Sequence, residues 1–121
     1  MTADTNVLVD ALRGKNDAIL FLGSSESVFS ISVVSMTELY AGLRDSRELQ
    51  QLQKFLTSFV IHPIDETIAT AAGKYLNQYS KSHNLGIADA LIAATASSFS
   101  EQLVTLNTKH FPMLPDVLRP Y

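Results

Sequence analysis

Apolar positions recur along this chain with two periods, and together they mark out strands alternating with helices. The densest apolar stretch is Gly86-Ile87-Ala88-Asp89-Ala90-Leu91-Ile92-Ala93-Ala94-Thr95-Ala96. Ala and Leu are strong helix formers and nothing after Gly86 breaks a helix. Apolar residues on nearly every face predict that this helix is buried. Nearer the start, Val7, Leu8, Ala11 and Leu12 sit at helical spacing and predict a helix opening just after Asp4. Gly14-Lys15-Asn16-Asp17 signals a turn, and Ala18 to Leu22 reads as a short helix ended by Gly23. Residues 27–34 alternate and are β-branched, which predicts a strand. Ser35-Met36-Thr37-Glu38 then has the form of a capping box opening a helix that carries Leu39, Tyr40, Ala41 and Leu43.

Leu49, Leu52, Phe55, Leu56 and Phe59 form one stripe of an amphipathic helix over 47–59. A strand over 59–64 follows, then Asp65 as the N-cap of a helix over 65–82 with Ile68, Ala72, Tyr75, Leu76 and Tyr79 inward. After a loop over 83–86 and the Asp89 helix come a strand over 102–107, a turn over 108–112 and an edge strand over 116–118. Strands alternating with helices predict an α/β fold, a parallel sheet with helices on both faces. No repeat, linker or low-complexity segment interrupts it, so one domain over residues 1–121 is expected.

Composition narrows the class. The chain is 46% hydrophobic and 17% charged, enough for a core and too little charge for disorder. It holds no apolar run of bilayer length, no signal-peptide core in Met1-Thr2-Ala3-Asp4 and no cysteine. The expectation is a cytoplasmic protein without membrane contact, disulfide or thiolate metal site. A net charge of -3 argues against a simple nucleic-acid coat, though not against an enzyme that holds phosphate through a bound cation.

The polar residues then matter by position. Ligands of open parallel sheets bind outside the carboxyl ends of the strands. Asp4, Glu38, and Asn107 with Thr105 fall there, and the helix of Asp89 can bring its N-terminus to the same edge. Each has a local explanation: Asp4 caps a helix, Glu38 closes a capping box, Asp89 meets the positive end of a helix dipole, and Asp10 is solvated on an outer face. None of these explains convergence on one rim. Clustered carboxylates raise one another's pKa unless a cation sits among them, and an all-oxygen donor set suits Mg²⁺ or Mn²⁺. Among His62, His83 and His110, no pair is spaced as a motif; His110 lies nearest the expected pocket.

Four ordered segments carry a resemblance. Asp4-Thr5-Asn6, Ser32 to Leu39, Ile87 to Ala94, and Thr105-Leu106-Asn107-Thr108-Lys109-His110-Phe111 resemble the motifs of PIN-domain ribonucleases, in particular the VapC toxins of bacterial toxin–antitoxin systems. The resemblance implies a PIN-like three-layer α/β/α sandwich and Mg²⁺- or Mn²⁺-dependent endoribonuclease activity on structured RNA such as tRNA or rRNA loops. It also implies a homodimer and inhibition by a VapB-like antitoxin. By that pattern Asp4, Glu38 and Asp89 are the catalytic, metal-binding acids, Asn107 takes the fourth metal position, and Thr105 and Asn6 support metal or substrate. The chain departs from the pattern in having an amide at 107 and only Met1-Thr2-Ala3 before the first Asp. The alternative is a weakly active PIN-like domain that binds RNA or protein. A haloacid-dehalogenase-like reading wants a second Asp where Asn6 stands, and a response-regulator receiver wants paired early acids that are absent.

Overall fold

Short polar side chains set where the helices of this chain begin. The computed structural model describes residues 1–24 and 28–121. Asp4 caps helix α1 (Thr5–Leu12), Asp45 caps α4 (Ser46–Leu56) through Glu48 N–H at 2.8 Å, and Asp65 caps α5 (Glu66–His83) through Ile68 N–H at 2.9 Å. Each satisfies a backbone donor that has no partner inside its helix. Helix α2 (Asn16–Ser24) starts earlier than expected and runs through Gly23, and the preceding turn places Gly14 at φ +86°. Helix α5 ends on Asn84 in the left-handed region, where Asn is tolerated.

The strand expected over 27–34 is shorter, and Ser27 lies outside the described residues. Strand β2 is Ser30–Ser32, and Val33 and Val34 already form the first turn of α3 (Val33–Ala41). The cap is therefore Ser32, whose hydroxyl accepts Val34 N–H at 3.1 Å, and not Ser35. Glu38 sits a turn further in and closes no capping box. Two β-branched valines favour a strand only weakly, and tertiary packing overrode that preference.

The remaining strands are β1 (Thr2–Ala3), β3 (Val60–His62), β4 (Leu103–Val104) and β5 (Val117–Leu118). They form one sheet of order β3-β2-β1-β4-β5, with every pairing parallel. β1 is central: Thr2 is in register with both Ser30 and Leu103, and Ala3 with Val104. Parallel neighbours demand crossovers, and the helices that supply them cover both faces. On one face Val7 and Leu8 of α1, Leu39 of α3, and Leu52 and Leu56 of α4 pack with Ala3, Ile31 and Val104. On the other, Ile92, Ala93 and Ala96 of helix α6 (Ile87–Ser98) pack with Leu103 and Phe111, while Ala90 and Ala94 meet Ile68 and Ala72 of α5. The small alanines let α5 and α6 approach closely. The result is a three-layer α/β/α sandwich. None of its described helices is long and apolar enough to cross a membrane.

Candidate active site

Asp4 is both a helix cap and the floor of a cleft. Its Oδ1 accepts Thr5 N–H at 2.7 Å and its Oδ2 accepts the Thr105 hydroxyl at 2.7 Å. The carboxylate is held at both oxygens and keeps only 5% exposure. Burial pushes its pKa up against the lowering bond from Thr105, and Asp89 and Glu38 push it further while Thr5 N–H lowers it. The result is a rise from 3.8 to about 6. Desolvation and like charge thus act together, and hydrogen bonding offsets them in part.

Thr105 organises the strand-end side of the cleft. Fully buried, it donates to Asp4 and accepts from Asn6 Nδ2 at 3.3 Å and from the Asn107 N–H at 3.1 Å. Asn6 Oδ1 in turn accepts Leu106 N–H at 3.4 Å. Glu38 reaches the site from α3. Its Oε1 lies 2.7 Å from Thr5 Oγ1, which lies 2.8 Å from the Oγ of buried Ser35. A hydroxyl carries one proton, so Thr5 donates to the carboxylate and Ser35 donates to Thr5. Asp89 comes from the first turn of α6, and Gly86, the N-cap, offers that helix end no side-chain bond.

Asp4, Glu38 and Asp89 line a single cleft of about 430 Å³, together with Thr5, Asn6, Asp10, Arg13 and Leu106. Among the described residues, no Lys or Arg forms an ion pair with any of the three acids. Asn107 is exposed and is not part of that lining; its contact with the site is the backbone bond to Thr105. His62 stacks on Phe99 and bonds Glu101, and His83 bonds Ser82, so neither belongs to the cleft. His110 is beside it: its Nδ1 lies 3.6 Å from Asp89 Oδ2. Asp10 is not simply solvated, since it accepts the Tyr121 hydroxyl at 2.7 Å and pairs with Lys15 at 3.8 Å.

The sequence does not mark Thr5, Ser35 and Arg13 as site residues. The spacing of Ser35 and Glu38, three residues apart on a helix, puts both on one face and was the available signal. A second groove of about 370 Å³, lined in part by Leu12, Leu39, Leu43 and Leu52, adjoins the cleft between α1, α3 and α4, sharing Val9, Arg13 and Glu38 with it.

The donor set tests whether a cation fits. Every candidate is an oxygen, and a buried carboxylate with two others near it is costly without a counter-charge. Among the described residues no three His, Cys, Asp or Glu side chains are spaced to ligate one ion directly. Mg²⁺ keeps several waters and needs only one or two carboxylates, whereas a closed Zn²⁺ shell needs four ligands. The residues fit a hydrated hard cation.

Residues 1–114 match the family model described as PIN domain. The chain is 41% identical over 121 residues to Ribonuclease VapC10 of Mycobacterium tuberculosis, covering 98% of this chain and 90% of that protein. It is 38% identical over 123 residues to Ribonuclease VapC19 of the same organism, covering 98% and 97%. A solved toxin–antitoxin complex from Klebsiella pneumoniae holds a chain of TM-score 0.86 and 30% identity, with 99% of this chain and 97% of that one covered. With its central parallel sheet, ordered acidic motifs and these relatives, the chain belongs to the PIN-domain family, in its VapC-like branch.

Proposed function

We propose that this chain is the toxin of a toxin–antitoxin pair: a Mg²⁺- or Mn²⁺-dependent endoribonuclease that hydrolyses phosphodiester bonds in structured RNA, such as tRNA or rRNA loops. In this reading it works as a homodimer and is neutralised by a VapB-like antitoxin. The supporting observation is the convergence of Asp4, at the end of β1, with Glu38 of α3 and Asp89 of α6 on one cleft where, among the described residues, no Lys or Arg pairs with them. The names of the relatives, two ribonucleases and a toxin–antitoxin complex, point the same way.

Asp4 and Asp89 would hold the ion with Glu38, and Asn107, exposed at the rim, would reach it only through water. When bound, such an ion polarises a phosphoryl oxygen and acidifies a water. The side chains do the rest. Asp4 has a fixed direction because both its oxygens are bonded. Glu38 is exposed, and among the described residues its Oε2 has no bonded partner, so it is the group able to accept a proton from attacking water. Arg13, exposed on the cleft wall, offers a cation to a flanking phosphate. The apolar groove beside Glu38 and Arg13 suits the apolar face of an antitoxin segment, and a basic side chain of that segment would reach the unpaired acids.

The exposed position of Asn107 favours a second reading, a domain that binds RNA but cleaves it poorly. One experiment separates them. Purified chain is incubated with total RNA in Mn²⁺ or in chelator, beside Asp89→Asn, and new RNA ends are sequenced. Discrete ends that need Mn²⁺ and Asp89 support the nuclease. RNA retained without cleavage supports the binding module, and equal cleavage in chelator excludes the metal-dependent reading.

A further inference from the structure

We infer that His110 is a positioning residue for Asp89: its Nδ1–H holds Asp89 Oδ2 and leaves Oδ1 to face the cleft. This rests on the reading of Asp89 as a metal-holding group. Nδ1 of His110 is buried with no hydrogen-bond partner, although a third of the side chain is exposed. The other edge of the ring therefore carries the solvent contact. Asp89 Oδ2 lies 3.6 Å from Nδ1, just outside bonding distance, and a small side-chain rotation closes the gap.

Chemistry selects the tautomer. A neutral imidazole has one N–H and one lone pair. A lone pair on Nδ1 would face a carboxylate oxygen and repel it, and the buried nitrogen would remain unsatisfied. With the proton on Nδ1 the pair attracts, and Nε2 accepts from water. Carboxylates that hold metals are themselves commonly held by such a bond.

The backbone makes this geometry firm. Asn107 accepts His110 N–H through its carbonyl at 3.1 Å, which opens a single 3₁₀ turn (Thr108–His110). Phe111, 2% exposed, then anchors the turn against Ile92, Ala93 and Ala96 of α6, the helix that carries Asp89. The end of β4 thus serves the cleft through the imidazole of His110, while the side chain of Asn107 stays outside.

Two measurements test the assignment. The first is Mn²⁺ alone titrated by calorimetry into wild type, His110→Asn, His110→Gln, His110→Ala and Asp89→Asn. An Asn amide nitrogen occupies the place of Nδ1, and a Gln amide lies one bond further out. His110→Ala and His110→Gln should lose about tenfold in affinity and His110→Asn should stay within about threefold of wild type. If His110→Asn falls with His110→Ala, or if no His110 variant differs from wild type while Asp89→Asn abolishes binding, this inference alone is wrong. If wild type takes up no Mn²⁺, or Asp89→Asn binds it like wild type, the metal reading fails and takes this inference with it. The second is ¹⁵N-resolved NMR of His110 in metal-free wild type, at a pH where the spectrum itself shows the neutral ring. The Nδ1–H tautomer is expected, and the Nε2–H tautomer would overturn the assignment without any variant.

Discussion

Replacing Asp4 by Asn should stabilise the metal-free protein at neutral pH and remove the divalent-cation binding proposed for the cleft. Burial, with Asp89 and Glu38 adding to it and the Thr105 bond opposing it, raises the Asp4 carboxyl from 3.8 to about 6. A carboxyl with a raised folded value binds its proton more tightly in the folded state. The stability it lends is therefore fully present below pH 3.8 and is lost as pH rises through about 6. At about 1.36 kcal/mol per unit, the loss is on the order of 3 kcal/mol. That is a large share of the roughly 5–15 kcal/mol that holds a domain together. Asn keeps the shape and carries no charge. Its Oδ1 can still accept Thr5 N–H, but its amide must turn Thr105 from donor to acceptor, in competition with Asn6 and Asn107. We expect about 1–2 kcal/mol of the ceiling to be recovered. Urea unfolding in chelator across the acid-to-neutral range is the assay. Below pH 3.8 the variant should be the less stable by about 1–2 kcal/mol, and the order should reverse as pH rises through about 6. Added Mn²⁺ should then raise the midpoint of wild type alone, because only the wild-type folded state gains a ligand. A folded Asp4→Asn protein no more stable than wild type at neutral pH in chelator would refute the account of the buried charge.

Three further outcomes follow from single contacts. Thr105→Val removes the donor to Asp4 and the acceptor of Asn6 and Asn107, and should cost about 2–3 kcal/mol in urea unfolding. It should also push the Asp4 carboxyl higher still, visible as a steeper loss of stability with rising pH. Ser32→Ala should cost about 1 kcal/mol by uncapping α3, whereas Ser35→Ala should leave the cap intact and loosen the hydroxyl that orients Glu38. The first effect is read by unfolding, the second by a fall in kcat at unchanged helix content. Asn107→Ala should change the Mn²⁺ needed for half-maximal RNA cleavage by less than about tenfold, against loss of cleavage in Asp89→Asn; equal losses would put the amide among the direct ligands.

What was legible in the sequence was what local chemistry decides. Asp4 and Asp65 read as caps because an acceptor before a helix has one common use. The Ala-rich run of α6 read as buried because no face of it was polar. The gathering of Asp4, Glu38 and Asp89 followed from the carboxyl-edge rule and the order of the motifs. The failures were tertiary. Val33 and Val34 look extended until the sheet packs against them, so the cap at Ser32 was missed. Glu38 looked like a capping residue because its true partner, Thr5, lies 33 positions away. Asn107, which the resemblance places at the fourth metal position, is exposed outside the cleft lining. Its backbone at φ -118°, ψ 57° instead leads into the turn that presents His110.

The bond between Asp4 and Thr105 joins residues 101 positions apart, and β1 pairs on one side with Ser30 and on the other with Leu103 and Val104. Such distant pairings are slow to form, since loop closure must precede the contacts that reward it. A growing chain can complete α1, α3 and even α6 while the carboxylate of Asp4 still has no Thr105 to hold it. The cleft is therefore completed only after all three of its acids are already in the chain. For a protein proposed to be toxic, the residue that fixes the buried carboxylate is thus among the last to be synthesised.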